Sequence, residues 1–352
     1  MRKRIYFCHT GMSTFVKTDY EILSEEYDVI TNHYSVGTNK MMKLFNIISS
    51  SFFAVKWVWR VDVVYCWFAG FHGFFPILIS KLLGKKSIII VGGYDAVSIP
   101  SLEYGVFYRR NLLQWCVRKI YGWATWICPV DESLVQSTNY YADPSGKGYK
   151  TGILNHMHVD ESKIVVIPTG YDERIIKMIK IYNSFDIISV GYVNDDQNFT
   201  RKGFDFIFEL AKVLPHLKIV IVGFTSDYLN KLKLSTPSNI TIVNFVGQEE
   251  LIKLFSSSKI DLQLSLAEGL PNTLCEAMLC ECIPIGSDVN GIPKAIGNTG
   301  YVLKVKNVDI LKSYIEEALK MDANQGALAR ERIMSMFPLS KRIEGLKTII
   351  NS

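Results

Sequence analysis

Apolar residues recur along this chain in two alternating rhythms. Short runs rich in Ile, Val, Phe and Tyr alternate with longer stretches in which apolar positions return every three or four residues. The first run, residues 4–8, reads as a strand, and residues 15–26 follow as an amphipathic helix with Phe15, Ile22 and Leu23 inward. Further strands are predicted at 28–33, 61–67 and 87–91, with helical segments between them. The same alternation resumes later, with strands at 186–190, 218–222, 240–245 and 260–266, and helices at 204–213, near Leu229, and at 249–256 and 272–279. It implies doubly wound parallel sheets. Ligands of such sheets bind outside the carboxyl ends of the strands.

Residues 63–83 approach a membrane span in length. They carry His72 and Pro76, and they divide into a strand, the loop AGFHGF and a helix beginning near Pro76. The stretch is therefore read as soluble core. Residues 40–60 differ: Met41, Leu44, Phe45, Ile48, Phe52 and Val55 share one helical stripe, flanked by Phe53, Trp57 and Trp59. Lys40, Lys43, Lys56 and Arg60 accompany them without any acid. Such a helix can lie in an anionic membrane interface. It can equally face the core with its basic edge solvated, which is the commoner arrangement.

A chain of 352 residues exceeds what one core usually serves, so two domains are expected. Residues 1–170 hold 18 Lys and Arg against 13 Asp and Glu, whereas the remainder holds 21 of each. The net charge of +5 thus belongs to the first half, mainly to residues 40–60 and to residues 104–126 with Arg109, Arg110, Arg118 and Lys119. Both stretches are candidate membrane contacts. So small an excess, without a reading motif, argues against nucleic acid. Seven scattered cysteines form neither a disulfide framework nor a zinc pattern. The start MRKRIYFCHTG is too quickly broken for a secretory signal, which points to the cytosol, at the inner membrane face if the membrane is contacted.

The chemistry concentrates in residues 265–293, SLAEGLPNTLCEAMLCECIPIGSDVNGIP. A strand, a Gly-Leu-Pro loop and a helix place Glu268 and Glu276 on either side of a helix N-terminus, where exposed amides favour an anion such as phosphate. A phosphate site flanked by carboxylates suits a sugar nucleotide, whereas a metal site would need more oxygen ligands. Taken singly, Glu276 could merely stabilise its helix and Glu268 could be a solvated loop acid.

The E-x7-E pattern inside EGLP…EAM resembles the signature of the family-four retaining glycosyltransferases, which have the GT-B fold: two Rossmann-like doubly wound α/β domains facing each other across a cleft. The resemblance implies that Glu276 holds the donor ribose and Glu268 the donor sugar. Gly269, Leu270, Pro271, Asn272 and Thr273 would contact sugar and diphosphate, and Gly11 would let the backbone pass close to the substrates. Lys202 in Lys202-Gly203 matches the family's phosphate-binding lysine. Tyr192 stands where an arginine is usual, and Arg201 is the candidate to replace it. Two cations at a helix start are unfavourable for the helix itself, which suggests an opposing anion. Gly247 and Gln248 fall where relatives pass the nucleobase. Gly92-Gly93-Tyr94-Asp95 lacks the nicotinamide fingerprint and also the family's histidine, leaving His72 and Asp95 as acceptor-side candidates. Asn290-Gly291 resembles the closing Gly-Gly-Ile-Pro element, while Lys294 and Glu281 depart from the pattern.

By the same resemblance, residues 1–172 form the acceptor-side domain, 173–338 the nucleotide-sugar domain, and 339–352 a helix returning to the first. The implied reaction is retaining transfer to a hydroxyl from a nucleotide-diphosphate sugar, with a UDP-sugar favoured and a GDP-sugar as the alternative. Lys202 and Glu268 are the catalytic candidates. Neither a metal nor another cofactor is implied, and a donor phosphate oxygen takes the acceptor proton. Polysaccharide or glycolipid assembly on a lipid-linked acceptor fits the basic aromatic stretches. A GT-B sugar-nucleotide epimerase, a phosphorylase and a catalytically silent membrane-associated scaffold are the competing readings.

Overall fold

In a computed structural model that describes residues 2–35, 40–181, 184–232 and 236–352, the chain divides into two compact units. The first contains the residues through Thr138, Lys150–Thr169 and Ser340–Ser352; the second contains Asn139–Tyr149 and Gly170–Leu339.

The first unit runs β1 (Arg4–His9), α1 (Thr14–Glu26), β2 (Asp28–His33), α2 (Lys40–Trp57), β3 (Val63–Trp67), α3 (Phe71–Leu82), β4 (Lys86–Val91), α4 (Leu112–Trp123) and β5 (Trp126–Pro129). The strand pair β6 (Ser137–Asn139) and β7 (Tyr149–Thr151) and the short helix α5 (Ile153–His156) follow. β1 to β5 are parallel in the order β2-β1-β3-β4-β5. β1, β3 and β4 are almost wholly inaccessible. Helices cover both faces of such a sheet, so its strands read as continuous apolar runs. Right-handed crossovers place α1 on one face and α2, α3 and α4 on the other, with α3 packed between its two neighbours.

The second unit runs β8 (Phe185–Val193), α6 (Asp196–Arg201), α7 (Phe204–Val213), β9 (Ile219–Phe224), α8 (Ser226–Leu232), β10 (Ile240–Asn244), α9 (Gln248–Ser256), β11 (Ser258–Gln263), α10 (Asn272–Leu279), β12 (Ile283–Ser287), α11 (Ile292–Ile296), β13 (Tyr301–Leu303), α12 (Val308–Lys320) and α13 (Ala323–Met336). Its parallel sheet has the order β10-β9-β8-β11-β12-β13. Within the unit this is the Rossmann order 3-2-1-4-5-6, whose ligand crevice opens where the order reverses, between β8 and β11.

The final helix, α14 (Leu339–Asn351), carries Arg342 into the core of the first unit. Its guanidinium grips the Asp19 carboxylate twice, Nε to Oδ1 at 2.9 Å and Nη2 to Oδ2 at 2.6 Å. Tyr65 Oη and Trp67 Nε1 donate to Asp19 Oδ2 at 2.5 and 2.7 Å. Both charged side chains are inaccessible.

Three local expectations need correction. α3 begins at Phe71 rather than near Pro76, so Pro76 sits inside the helix and His72 in its first turn. Close packing explains this: a Cβ on Gly73 would lie 2.9 Å from Cys66 Sγ, so the helix rests tightly on β3. β11 ends at Gln263, leaving Leu264 to Leu266 in the loop. The stripe on α2 does not face the core, because Ser50 and Ala54, with Val58 just beyond the helix, are the buried positions there while Phe45, Ile48, Phe52 and Val55 are exposed. Asn32 Nδ2 donates to Ser50 Oγ at 2.9 Å, so a small polar contact fixes the helix to β2. The side chains of Lys40, Lys43 and Leu44, which belong to the same expected stretch, lie outside the described residues.

Candidate nucleotide-sugar site

The segments that follow β8 and β11 meet at the switch point of the second sheet. After β8 the chain forms the short helix α6, which the apolar pattern does not reveal. Arg201 is its last residue and Lys202 its C-cap, followed by Gly203 at φ +78°. As expected, the two cations immediately precede the start of an amphipathic helix, α7 with its N-cap Gly203; they also close the C-terminus of α6, where positive charge is favoured. A Cβ on Gly203 would lie 2.3 Å from the Leu264 carbonyl oxygen, so the left-handed glycine lets this turn sit directly against the loop after β11.

Across that contact Lys202 Nζ lies 2.6 Å from Glu268 Oε1, both side chains being largely buried. Gln263, at the end of β11, supports the acid: its Nε2 lies 3.3 Å from Glu268 Oε1 and 2.8 Å from Ser265 Oγ. Thr273 Oγ1 donates to Gln263 Oε1 at 3.1 Å, which ties the first turn of α10 into the same chain. The loop backbone is also held. Glu268 N donates to Asn290 Oδ1 at 3.2 Å, and Gly291 N donates to the Gly269 carbonyl at 2.9 Å. Arg201 is buried, with Nε and Nη2 on Asn198 Oδ1 at 3.2 and 2.8 Å and Nη1 3.4 Å from the Ala267 carbonyl. Asn139 Nδ2 donates to the Leu266 carbonyl at 2.8 Å.

Burial acts to raise the Glu268 pKa, but Lys202 and Arg201 outweigh it and hold the carboxyl below its ordinary range. Burial, reinforced by Arg201, lowers the Lys202 pKa despite the favourable Glu268 charge. One acid facing two cations leaves the cluster net positive. Beside it, the N-cap of α10 is Pro271, which offers no side-chain acceptor to the amides of the first turn. Glu276 is buried in the second turn, not the first, and burial pushes its carboxyl from the ordinary 4.5 up to about 7.

Gly247 caps α9 and Gln248 begins it, both exposed at the end of β10 next to the protruding Phe245. In the first unit, a Cβ on Gly11 would meet nothing within 4 Å. His72 is buried, and its Nε2 must carry the proton because it lies 2.8 Å from the Trp67 carbonyl, which only accepts. Asp95 is inaccessible. Its carboxylate accepts from the amides of Ala69 at 2.9 Å and of Gly92 and Gly93 at 3.2 Å each, which joins the loops after β3 and β4. Burial raises its pKa to about 6 against those amides.

Sequence reasoning missed Gln263, Asn198, Asn139 and Phe245. A signal existed for Gln263, one of the polar residues Asp261, Gln263 and Ser265 that alternate with Ile260, Leu262 and Leu264. No comparable signal marks Asn139, which lies 127 residues from its partner.

Two Rossmann-like units with this site in the second define a GT-B fold. The chain superposes on sucrose-phosphate synthase from Thermosynechococcus elongatus with TM-score 0.73 and 13% identity, over 99% of this chain and 98% of that one. It likewise superposes on Anabaena HepE in complex with UDP and glucose, with TM-score 0.68 and 12% identity, over 100% of both chains. Residues 188–333 match the family model described as glycosyl transferases group 1. A phosphatidylinositol N-acetylglucosaminyltransferase subunit of Arabidopsis thaliana is 21% identical over 277 residues, 75% of this chain. The chain spans 61% of that relative's length.

Proposed function

We propose that this protein is a retaining glycosyltransferase that moves a sugar from a nucleotide-diphosphate sugar to a hydroxyl acceptor in polysaccharide or glycolipid assembly. The observation that carries the reading is the buried Lys202–Glu268 contact at the switch point of the second sheet, beside the first turn of α10. Negative charge develops on the departing diphosphate, and preorganised donors aimed at it are the main source of rate. Lys202, Arg201 and the amides of Asn272 and Thr273 supply that field. Glu268 accepts from hydroxyls of the donor sugar and Glu276 from the ribose. Gly247 and Gln248, beside Phe245, meet the base, and Gly11 leaves room for the transferred sugar. His72 and Asp95 shape the acceptor side, Asp95 by fixing the loops after β3 and β4.

The family of residues 188–333 and the UDP named in the HepE complex support a UDP-sugar as donor, with a GDP-sugar as the competitor. The name of the Arabidopsis relative supports a lipid-borne acceptor presented at a membrane surface, which the protein would meet from the cytosolic side. A thermal-shift panel of nucleotide sugars tests the donor assignment, because a ligand at about 100 times its Kd should add roughly 2.7 kcal/mol. Stabilisation by a UDP-sugar and not by a GDP-sugar is the expected result; a panel without any shift would remove the nucleotide sugar from the site.

Glu276 gives a pH test with a definite sign. Its folded pKa of about 7 lies above the ordinary 4.5, so the folded protein retains a proton that the unfolded chain has lost between those values. The donor-free protein is therefore expected to lose stability as pH rises through that window, and Glu276→Gln to remove this part of the loss. Ribose hydroxyls donate best to the ionised acid, so donor affinity should rise as pH increases through about 7. Glu276→Ala should weaken donor binding and flatten that dependence in calorimetry. An unchanged Kd would refute the ribose role.

A further inference from the structure

We infer that the outer face of α2, α3 and α4 docks the protein on an anionic lipid bilayer. The inference deepens the proposed lipid-borne acceptor by naming the surface that would hold the protein at the membrane. α2 is turned against its own composition: Met41, Phe45 and Phe52 are 83%, 69% and 74% exposed, with Ile48 and Val55 on the same face, while Ser50 and Ala54 are buried. Neighbouring α3 continues this surface with exposed Leu82, and α4 with exposed Leu112 and Trp115. Large apolar side chains exposed together on three helices that pack side by side point to an interaction surface.

Charge selects the occupant. The sequence has no Asp or Glu in residues 40–61, 63–94 or 104–130, so none of the three helices contains an acid. Cations instead stack on aromatic rings at several points of these helices and their ends. The Arg60 guanidinium lies 4.6 Å from the Trp59 ring centroid, Lys56 Nζ 5.5 Å from Trp57, Lys81 Nζ 5.9 Å from Trp123 and Lys119 Nζ 5.8 Å from Trp115. Rings at the hydrocarbon boundary with cations reaching the headgroups match an anionic interface. Among the described residues no helix is long and apolar enough to cross a membrane, so the contact is one of lying on the surface.

Cosedimentation of the full chain with vesicles tests the inference, without donor or acceptor present. Binding to phosphatidylcholine vesicles containing phosphatidylglycerol should exceed binding to phosphatidylcholine alone by at least about tenfold, and should fall with added salt. The exposed-site variants Phe45→Glu/Phe52→Glu and Lys56→Glu/Arg60→Glu should each lose at least about tenfold of that binding while keeping the wild-type unfolding transition. Equal binding to both vesicle types, no binding to either, or variants that bind like the wild type would overturn it. So would a wild-type dimer that the phenylalanine variant abolishes, since a second copy would then be the occupant. The nucleotide-sugar thermal shift of these variants should stay intact, so failure here leaves the transferase reading standing, and loss of the wild-type shift leaves this one standing.

Discussion

Replacing Lys202 by alanine is expected to lower turnover by about 2 kcal/mol or more, the range for losing one preorganised donor at a developing charge. The amine sits on Glu268 in a largely buried contact, so the substitution also leaves that acid with Arg201 as its nearby cation. Two effects must then be separated. Losing the partner destabilises the fold, because an uncompensated buried charge is costly, and it raises the Glu268 pKa toward the range that burial favours. Losing the donor slows the chemistry in molecules that remain folded. The measurement is therefore kcat on protein shown to be folded, together with its thermal midpoint. A lower midpoint with near-normal turnover would make the ion pair structural and remove Lys202 from the leaving-group site. Lys202→Arg should preserve the midpoint better than turnover, since a planar guanidinium cannot place its charge as the ammonium does.

The largest effect on stability is expected at Asp19. Its carboxylate accepts from the Arg342 guanidinium and from the donors of Tyr65 and Trp67, all of them buried in the first unit. Asp19→Ala would strand a buried cation and two polar hydrogens, at a cost of about 3–5 kcal/mol. Arg342 also donates to the Ile167 carbonyl at 2.5 Å, so its own removal frees that acceptor as well. The paired change Asp19→Leu/Arg342→Met should cost less than either single change, because apolar groups of similar volume leave no charge uncompensated. Urea unfolding of the three variants measures this. Additive losses would show that the residues are not coupled.

Much of the site was legible in the amino-acid order because it is local. Glu268, the Gly-Leu-Pro loop and Glu276 lie within one strand–loop–helix segment, so their spacing already places them around a helix N-terminus. The alternation of apolar runs likewise fixed the parallel-sheet class, because strands buried on both faces must read as continuous Ile and Val, as β4 does. The helix bounds 204–213 and 272–279 were readable in the same local way, from their own apolar spacing.

What the sequence could not contain was which distant elements meet. The Lys202–Glu268 contact joins residues 66 apart and the Arg342–Asp19 pair residues 323 apart, and neither separation leaves a periodic trace. The outward turn of α2 was decided in the same way. Its apolar stripe looks core-facing by itself, and only the Asn32–Ser50 contact and the burial of Ala54 and Val58 against the first unit determine which side packs. Local chemistry thus determined the class of fold and the strand–loop–helix form of the Glu268–Glu276 segment, whereas long-range packing set the charge around that loop and left the apolar face of α2 exposed.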